Sequence, residues 1–259
     1  MPASPSQQSR RASARQRIEN RRAAEAAARA AAERRRRTVI GGVVAGVVLV
    51  VALVVVIVVQ MQRTATSDAA AVPADTAADG TVVEVGADDG AVPVDIWADF
   101  QCPACQRFHQ VNGETLEQLA DEGTLQLRYH PIAILDRYST DAYSTRSLNA
   151  AGVVVDAAGP EAFAEFTDLL YANQPPEGGA GLSDDELIEL AAQAGATGDE
   201  VEAGIRDLVF EDWTARITEE ASRQGVTSTP TVLVDGEPLD LRQATPATIT
   251  ALVEAAAPE

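Results

Sequence analysis

The spacing of apolar residues changes along the chain, and each change marks a different kind of element. Val39 to Val59 is an uncharged, almost wholly apolar run of 21 residues. At about 1.5 Å per helical residue it spans roughly 30 Å, the thickness of a bilayer's hydrocarbon layer. It predicts a transmembrane helix. Gln62 to Gly80 is built from Ala, Thr, Asp, Ser and Pro and reads as a linker, so that residues 60–80 separate the span from a domain at 81–259. Thr81–Val85 predicts a short strand, Ala87–Gly90 a turn, and Val92–Phe100 a buried strand. Phe108, Val111, Leu116 and Leu119 then recur at helical spacing, and Thr124–His130 alternates as a strand does.

From Tyr138 to Val226 the pattern is helical. Helices are expected over 141–158, stopped by Gly159-Pro160, and over 161–173 with Phe163, Phe166, Leu169 and Leu170 on one face. Ser183-Asp-Asp-Glu186 is a capping-box signature that opens a third. Residues 199–208 and 211–224 continue the series. Thr231–Val234, the Asp235-Gly236 turn and Glu237–Leu239 predict a strand hairpin, and 246–256 a terminal helix. The order strand, helix, strand, helical block, strand, helix describes an α/β domain large enough to bury one core.

Charge divides the chain at the apolar run. Residues 1–37 carry eleven Arg against Glu19, Glu25 and Glu33, a net of about +8; the remainder carries nine Arg against 36 acids, about −27. Arg34–Arg37 directly precede the span, which predicts a cytoplasmic tail (1–38), a signal anchor and an extracytoplasmic domain. The same arginines suit anionic lipid headgroups. A cleaved signal peptide is the competing reading, but its apolar core would be shorter and its basic head smaller. The acidic domain argues against a nucleic-acid partner.

The candidate chemistry lies in Asp99-Phe-Gln-Cys-Pro-Ala-Cys105, which holds the chain's two cysteines. Pro103 suits the first helical position. Cys102 then sits at a helix N-terminus, where the dipole and free N–H groups favour a thiolate. A structural disulfide usually closes a longer loop, and zinc would need two further ligands where only His109 and His130 are available. The redox reading accounts best for the spacing. No metal and no cofactor is expected.

A Thr-Pro step directly before a strand, in Thr227-Ser-Thr-Pro-Thr231, supplies the context. With the cysteine segment and Phe166–Gln174, it makes residues 86–256 resemble the DsbA-like thiol–disulfide oxidoreductases, specifically the membrane-anchored bacterial members. That resemblance implies a thioredoxin-like fold with an inserted helical subdomain at about 138–212. It implies Cys102 as the exposed, attacked sulfur, Cys105 as the buried resolving one and Pro230 as a cis-proline facing them. Thr229 would offer backbone groups to substrate. Exported cysteine-containing proteins would be the substrates, and a membrane redox partner, quinone-linked, would restore the disulfide at the bacterial cell membrane. A reductase or isomerase working in reverse and a binding module with a structural disulfide are the alternatives.

Three nearby groups are candidates for tuning the thiols: Asp95, Asp99 and His109. Both aspartates would oppose a thiolate if close, and Asp95 falls near the buried acid of plain thioredoxins. His109, four residues after Cys105, shares its helix face. Strong oxidants of the resembled family carry His where this chain has Ala104, so a milder oxidant is expected.

Overall fold

The computed structural model describes residues 71–86 and 91–257. The expected cytoplasmic tail (1–38), the expected span at Val39–Val59, linker residues 60–70 and the turn expected at 87–90 lie outside the described residues. No helix among the described residues is long and apolar enough to cross a membrane.

Five strands form one sheet in the order β1-β3-β2-β4-β5. They are β1 (Val83–Gly86), β2 (Val92–Ala98), β3 (Leu125–Pro131), β4 (Thr231–Val234) and β5 (Glu237–Pro238). β2 and β3 run parallel, with Ile96 opposite Tyr129, and the other pairs are antiparallel, with Ile96 opposite Val232. A parallel pair needs a crossover, and α1 (Pro103–Asp121) provides it. β2 is buried along most of its length, as a central strand covered on both faces must be.

Between β3 and β4 stand α2 (Tyr143–Ala172), α3 (Asp184–Gln193), α4 (Asp199–Arg206) and α5 (Glu211–Arg223), and α6 (Pro246–Ala256) closes the chain. The two helices expected on either side of Gly159-Pro160 are present, meeting end to end at a kink within α2. Gly159 takes φ +85°, a conformation glycine adopts freely, and Pro160 cannot donate into the preceding turn. α3 opens on the expected capping box. The Ser183 hydroxyl accepts from the Glu186 N–H, and the Glu186 carboxylate accepts from the Ser183 N–H at 2.7 Å.

Two expectations are corrected. Residues 71–80, read as linker, are docked on the domain. The Ala74 N–H donates to Asp156 Oδ1 at 2.7 Å, and the Trp213 indole donates to the Gly80 carbonyl at 2.7 Å. A buried indole needs such an acceptor, and composition alone does not reveal it. On α1, Val111 points outward while Asn112 is buried and donates to the Phe108 carbonyl at 3.0 Å. An amide anchored inside the helix face displaced the apolar residue beside it.

Candidate active site

β2 ends at Ala98, and the chain turns through Asp99 to Gln101 before α1 begins. Cys102 is the N-cap of α1 and Pro103 its first residue, where the missing N–H leaves nothing unpaired. The Cys102 N–H donates to the Asp99 carbonyl at 3.0 Å, and the Cys102 carbonyl accepts from Gln106 at 3.1 Å. Both cysteines are in the dithiol form. Cys102 is 6% exposed and Cys105 2%, so the sulfur expected to be exposed is nearly covered and Cys105 is the deeper of the two.

The far wall of the site comes from the loop before β4. The Thr229–Pro230 bond is cis. The Cys102 thiol lies 3.4 Å from the Thr229 carbonyl, to which it donates. That carbonyl favours the thiol, but the donors around the sulfur outweigh it. Chief among them is the Cys105 thiol; against the opposing effect of burial, the Thr229 side chain and the N–H groups of Cys105 and Ala104 add to it. Together they bring Cys102 from the ordinary 9.0 to about 5. The Cys105 thiol is pushed far up, first by burial and then by the neighbouring Cys102. One sulfur is poised as a thiolate and the other held as a thiol. Ala104, expected to leave the thiolate poorly supported, contributes its backbone N–H instead of a side chain.

Residues 78–255 match the thioredoxin family model. The chain belongs to the thioredoxin family. Among solved structures of this family, it is 31% identical to reduced DsbA from Mycobacterium tuberculosis, covering 68% of this chain and 92% of that one, with a TM-score of 0.59. It is 32% identical to the disulfide bond oxidoreductase DsbG of the same organism, covering 68% and 87%, with a TM-score of 0.60. It is therefore placed within the thioredoxin family among the DsbA-type thiol–disulfide oxidoreductases. A 118-residue stretch, 44% of this chain, is 31% identical to the serine/threonine-protein kinase PknE of M. tuberculosis H37Rv. The chain spans about a fifth of that kinase's length.

Within this thioredoxin-family site, the three tuning candidates take different places. Asp95 points away from the cysteines. Successive β2 side chains alternate, and Ile96 and Ala98 share a pocket with Cys105 and Pro230. Asp95 instead accepts from His130 at 2.7 Å and lies 3.3 Å from Arg128, while His130 stacks on Trp97. Sequence distance brought Asp95 near the motif; the pleat put it on the other side of the sheet.

Asp99 is fully buried and accepts four hydrogen bonds. Gln101 N–H and the Ser144 hydroxyl bind Oδ1, each at 2.8 Å, and the N–H groups of Ile134 and Leu135 bind Oδ2 at 2.8 and 3.1 Å. Burial pushes its carboxyl up to about 6, against the pull of those donors. Asp99 acts as a bracket joining three chain segments and does not touch Cys102 Sγ.

His109, the third tuning candidate, turns to α2. It is half-buried, paired through Nε2 with Asp168 at 2.5 Å and set against the Tyr171 ring with centroids 4.9 Å apart. Glu117 lies close to both, and burial together with the Asp168 charge raises its carboxyl to about 7.

Two supporting residues carried no signal of their role. Gln174 donates to the carbonyls of Phe100 at 2.7 Å and Cys102 at 3.1 Å. Gln106 donates to the Tyr171 carbonyl at 2.8 Å. Gln174 ends the Phe166–Gln174 segment that carries part of the family resemblance, and that was its sole trace in the sequence.

Proposed function

We propose that this domain oxidises cysteine pairs of exported proteins on the outer side of a bacterial membrane, with Cys102 and Cys105 as its catalytic pair. What supports the direction is the set of donors gathered at Cys102 Sγ (the Cys105 thiol, the Thr229 side chain and the N–H groups of Cys105 and Ala104), which draw its pKa down to about 5. Stabilising a thiolate stabilises the reduced form, and an enzyme with a stabilised reduced form gives up its disulfide readily. Thioredoxin's thiol titrates near 7 and its potential is about −270 mV. Two further units at Cys102 correspond at pH 7 to about 2 kcal/mol, hence at most about 50 mV, because solvent reaches part of the site. A potential above about −270 mV and no higher than about −220 mV is expected.

In the forward reaction a substrate thiolate attacks Cys102 Sγ, the Cys102–Cys105 bond breaks, and the Cys105 sulfur leaves and takes a proton. A second substrate thiolate then attacks the substrate sulfur of the mixed disulfide. Cys102 leaves as a thiolate, the better leaving group for its low pKa. The substrate loses two electrons and the cysteine pair gains them. Pro103 starts the helix that supports Cys102, and Thr229 and Pro230 form the wall on which an extended peptide lies. A groove beside them, lined by Ala104, Phe108, Val111 and Leu241 together with Arg107 and Asn112, suits an apolar stretch of that peptide. A membrane protein linked to the quinone pool would reoxidise the pair.

The apolar run at Val39–Val59 with Arg34–Arg37 before it supports anchoring, an extracytoplasmic domain and contact with anionic lipid. Cys102→Ser is expected to abolish substrate oxidation, and Cys105→Ser to accumulate mixed disulfides. Oxidation retained by Cys102→Ser refutes the mechanism. A potential at or below about −270 mV assigns the domain to reduction or isomerisation instead.

A further inference from the structure

Apart from the cysteines, one group of ligating side chains bridges two helices. His109 and Glu117 stand eight residues apart, on one face of α1 about two turns from each other. Asp168 meets them from α2. Each of the three is half-buried, and their ligand atoms all lie within 4.8 Å of one another. Gly113 occupies the turn between His109 and Glu117, and a Cβ there would come within 3.3 Å of the imidazole. The glycine leaves that ring its space.

The charge of the group is poorly balanced. Glu117 has Asp168 and Glu165 as like-charged neighbours and His109 as its favourable one. A second, separate observation adjoins it. Thr167 is 2% exposed and Tyr171 3%, and neither hydroxyl has a hydrogen-bond partner. Both line the pocket that His109 and Gly113 also line. Buried hydroxyls without partners mark a place where water or a ligand belongs.

We propose that His109, Glu117 and Asp168 bind a divalent transition-metal ion, Zn²⁺ by the chemistry of the donors, which ties α1 to α2 behind the cysteine pair. Imidazole nitrogen and carboxylate oxygen are both Zn²⁺ donors, the imidazole sets the site apart from all-oxygen Mg²⁺ and Ca²⁺ sites, and three protein ligands leave a position for water. Ligands about 2.0–2.2 Å from a tetrahedral ion stand roughly 3.3 Å apart, so the ion would part His109 Nε2 from the Asp168 oxygen now 2.5 Å away, while rotation of the half-buried Glu117 brings its carboxylate in. The site uses no cysteine, so it stands apart from the oxidoreductase reading.

The test titrates the full, oxidised chain with Zn²⁺ by calorimetry, since the Cys102–Cys105 disulfide removes the competing thiols. Glu117→Gln and Asp168→Asn keep side-chain shape and are titrated alongside. One ion per wild-type chain is expected, with affinity reduced about tenfold or more in each variant. A rise in melting temperature on adding Zn²⁺ should appear in the wild type alone. No uptake at about 1 mM Zn²⁺, or equal uptake by both variants, overturns the site. If the variants fail to fold, Co²⁺ absorption of the oxidised wild type decides. Nitrogen and oxygen coordination supports the proposal; sulfur-to-metal charge transfer, or no bound Co²⁺, overturns it.

Discussion

Replacing Cys105 by alanine removes the largest single support of the Cys102 thiolate while leaving the Thr229 wall and the α1 N–H groups in place. A hydrogen bond to a charged acceptor contributes about 1.5–3 kcal/mol, and 1.36 kcal/mol is one pKa unit, so the loss is about one to two units. The Cys102 midpoint should therefore rise from about 5 to about 6 or 7. Cys105→Ser keeps a hydroxyl that can still donate, so its midpoint should stay closer to 5. The thiolate's ultraviolet absorbance, followed across a pH titration of the two variants and the reduced wild type, reads these values directly. The contrast between alanine and serine separates the hydrogen bond from packing. A Cys105→Ala midpoint that stays at about 5 refutes the assignment of the thiolate's support to Cys105. The stability linkage has a definite sign. A folded pKa depressed below the unfolded one stabilises the reduced domain fully above about 9, and that stabilisation is lost as pH falls towards 5.

Asp99→Asn turns one acceptor into a donor facing the Ile134 and Leu135 N–H groups. It should cost about 1–3 kcal/mol for the orphaned donors, seen as a lower melting temperature. The wild-type carboxyl, raised to about 6 from an ordinary 3.8, binds more protons folded than unfolded in that interval. The wild type's advantage over Asp99→Asn should therefore be largest near pH 4 and shrink by up to about 3 kcal/mol as pH rises past 6; a growing advantage contradicts this. Gln174→Ala removes two hydrogen bonds to the loop around Cys102 and should cost about 1–2 kcal/mol in denaturant unfolding, with the thiolate midpoint altered. An unchanged midpoint would mean the loop holds its shape without Gln174.

What the sequence exposes here is what depends on local order. The Cys-Pro-Ala-Cys step, the Pro at the first helical position and the Ser183–Glu186 cap are short-range signals, and each element they announce is present. The helical block was legible because apolar spacing and Gly159-Pro160 punctuate it. Side-chain direction was harder. Asp95 and Asp99 both sit close to the motif in sequence, yet one crosses to the far face of β2 and the other folds inward as a bracket. Val111 and Asn112 exchanged roles because a hydrogen-bonded amide can hold an interior position that hydropathy assigns to its neighbour. The His109–Glu117–Asp168 group was invisible for a further reason: Asp168 arrives from a helix whose approach to α1 has no local signature.

The distance along the chain between Cys102 and Thr229 bears on when the enzyme becomes active. The sulfur and the carbonyl it contacts are 127 residues apart. A chain emerging N-terminus first presents its cysteines long before the Thr229–Pro230 wall exists, and β4 joins β2 only once the last segment has emerged. Until then Cys102 lacks the Thr229 contribution to its low pKa. Cys105, three residues away, gives its larger support early, so the thiolate reaches its full stabilisation only when the chain is complete.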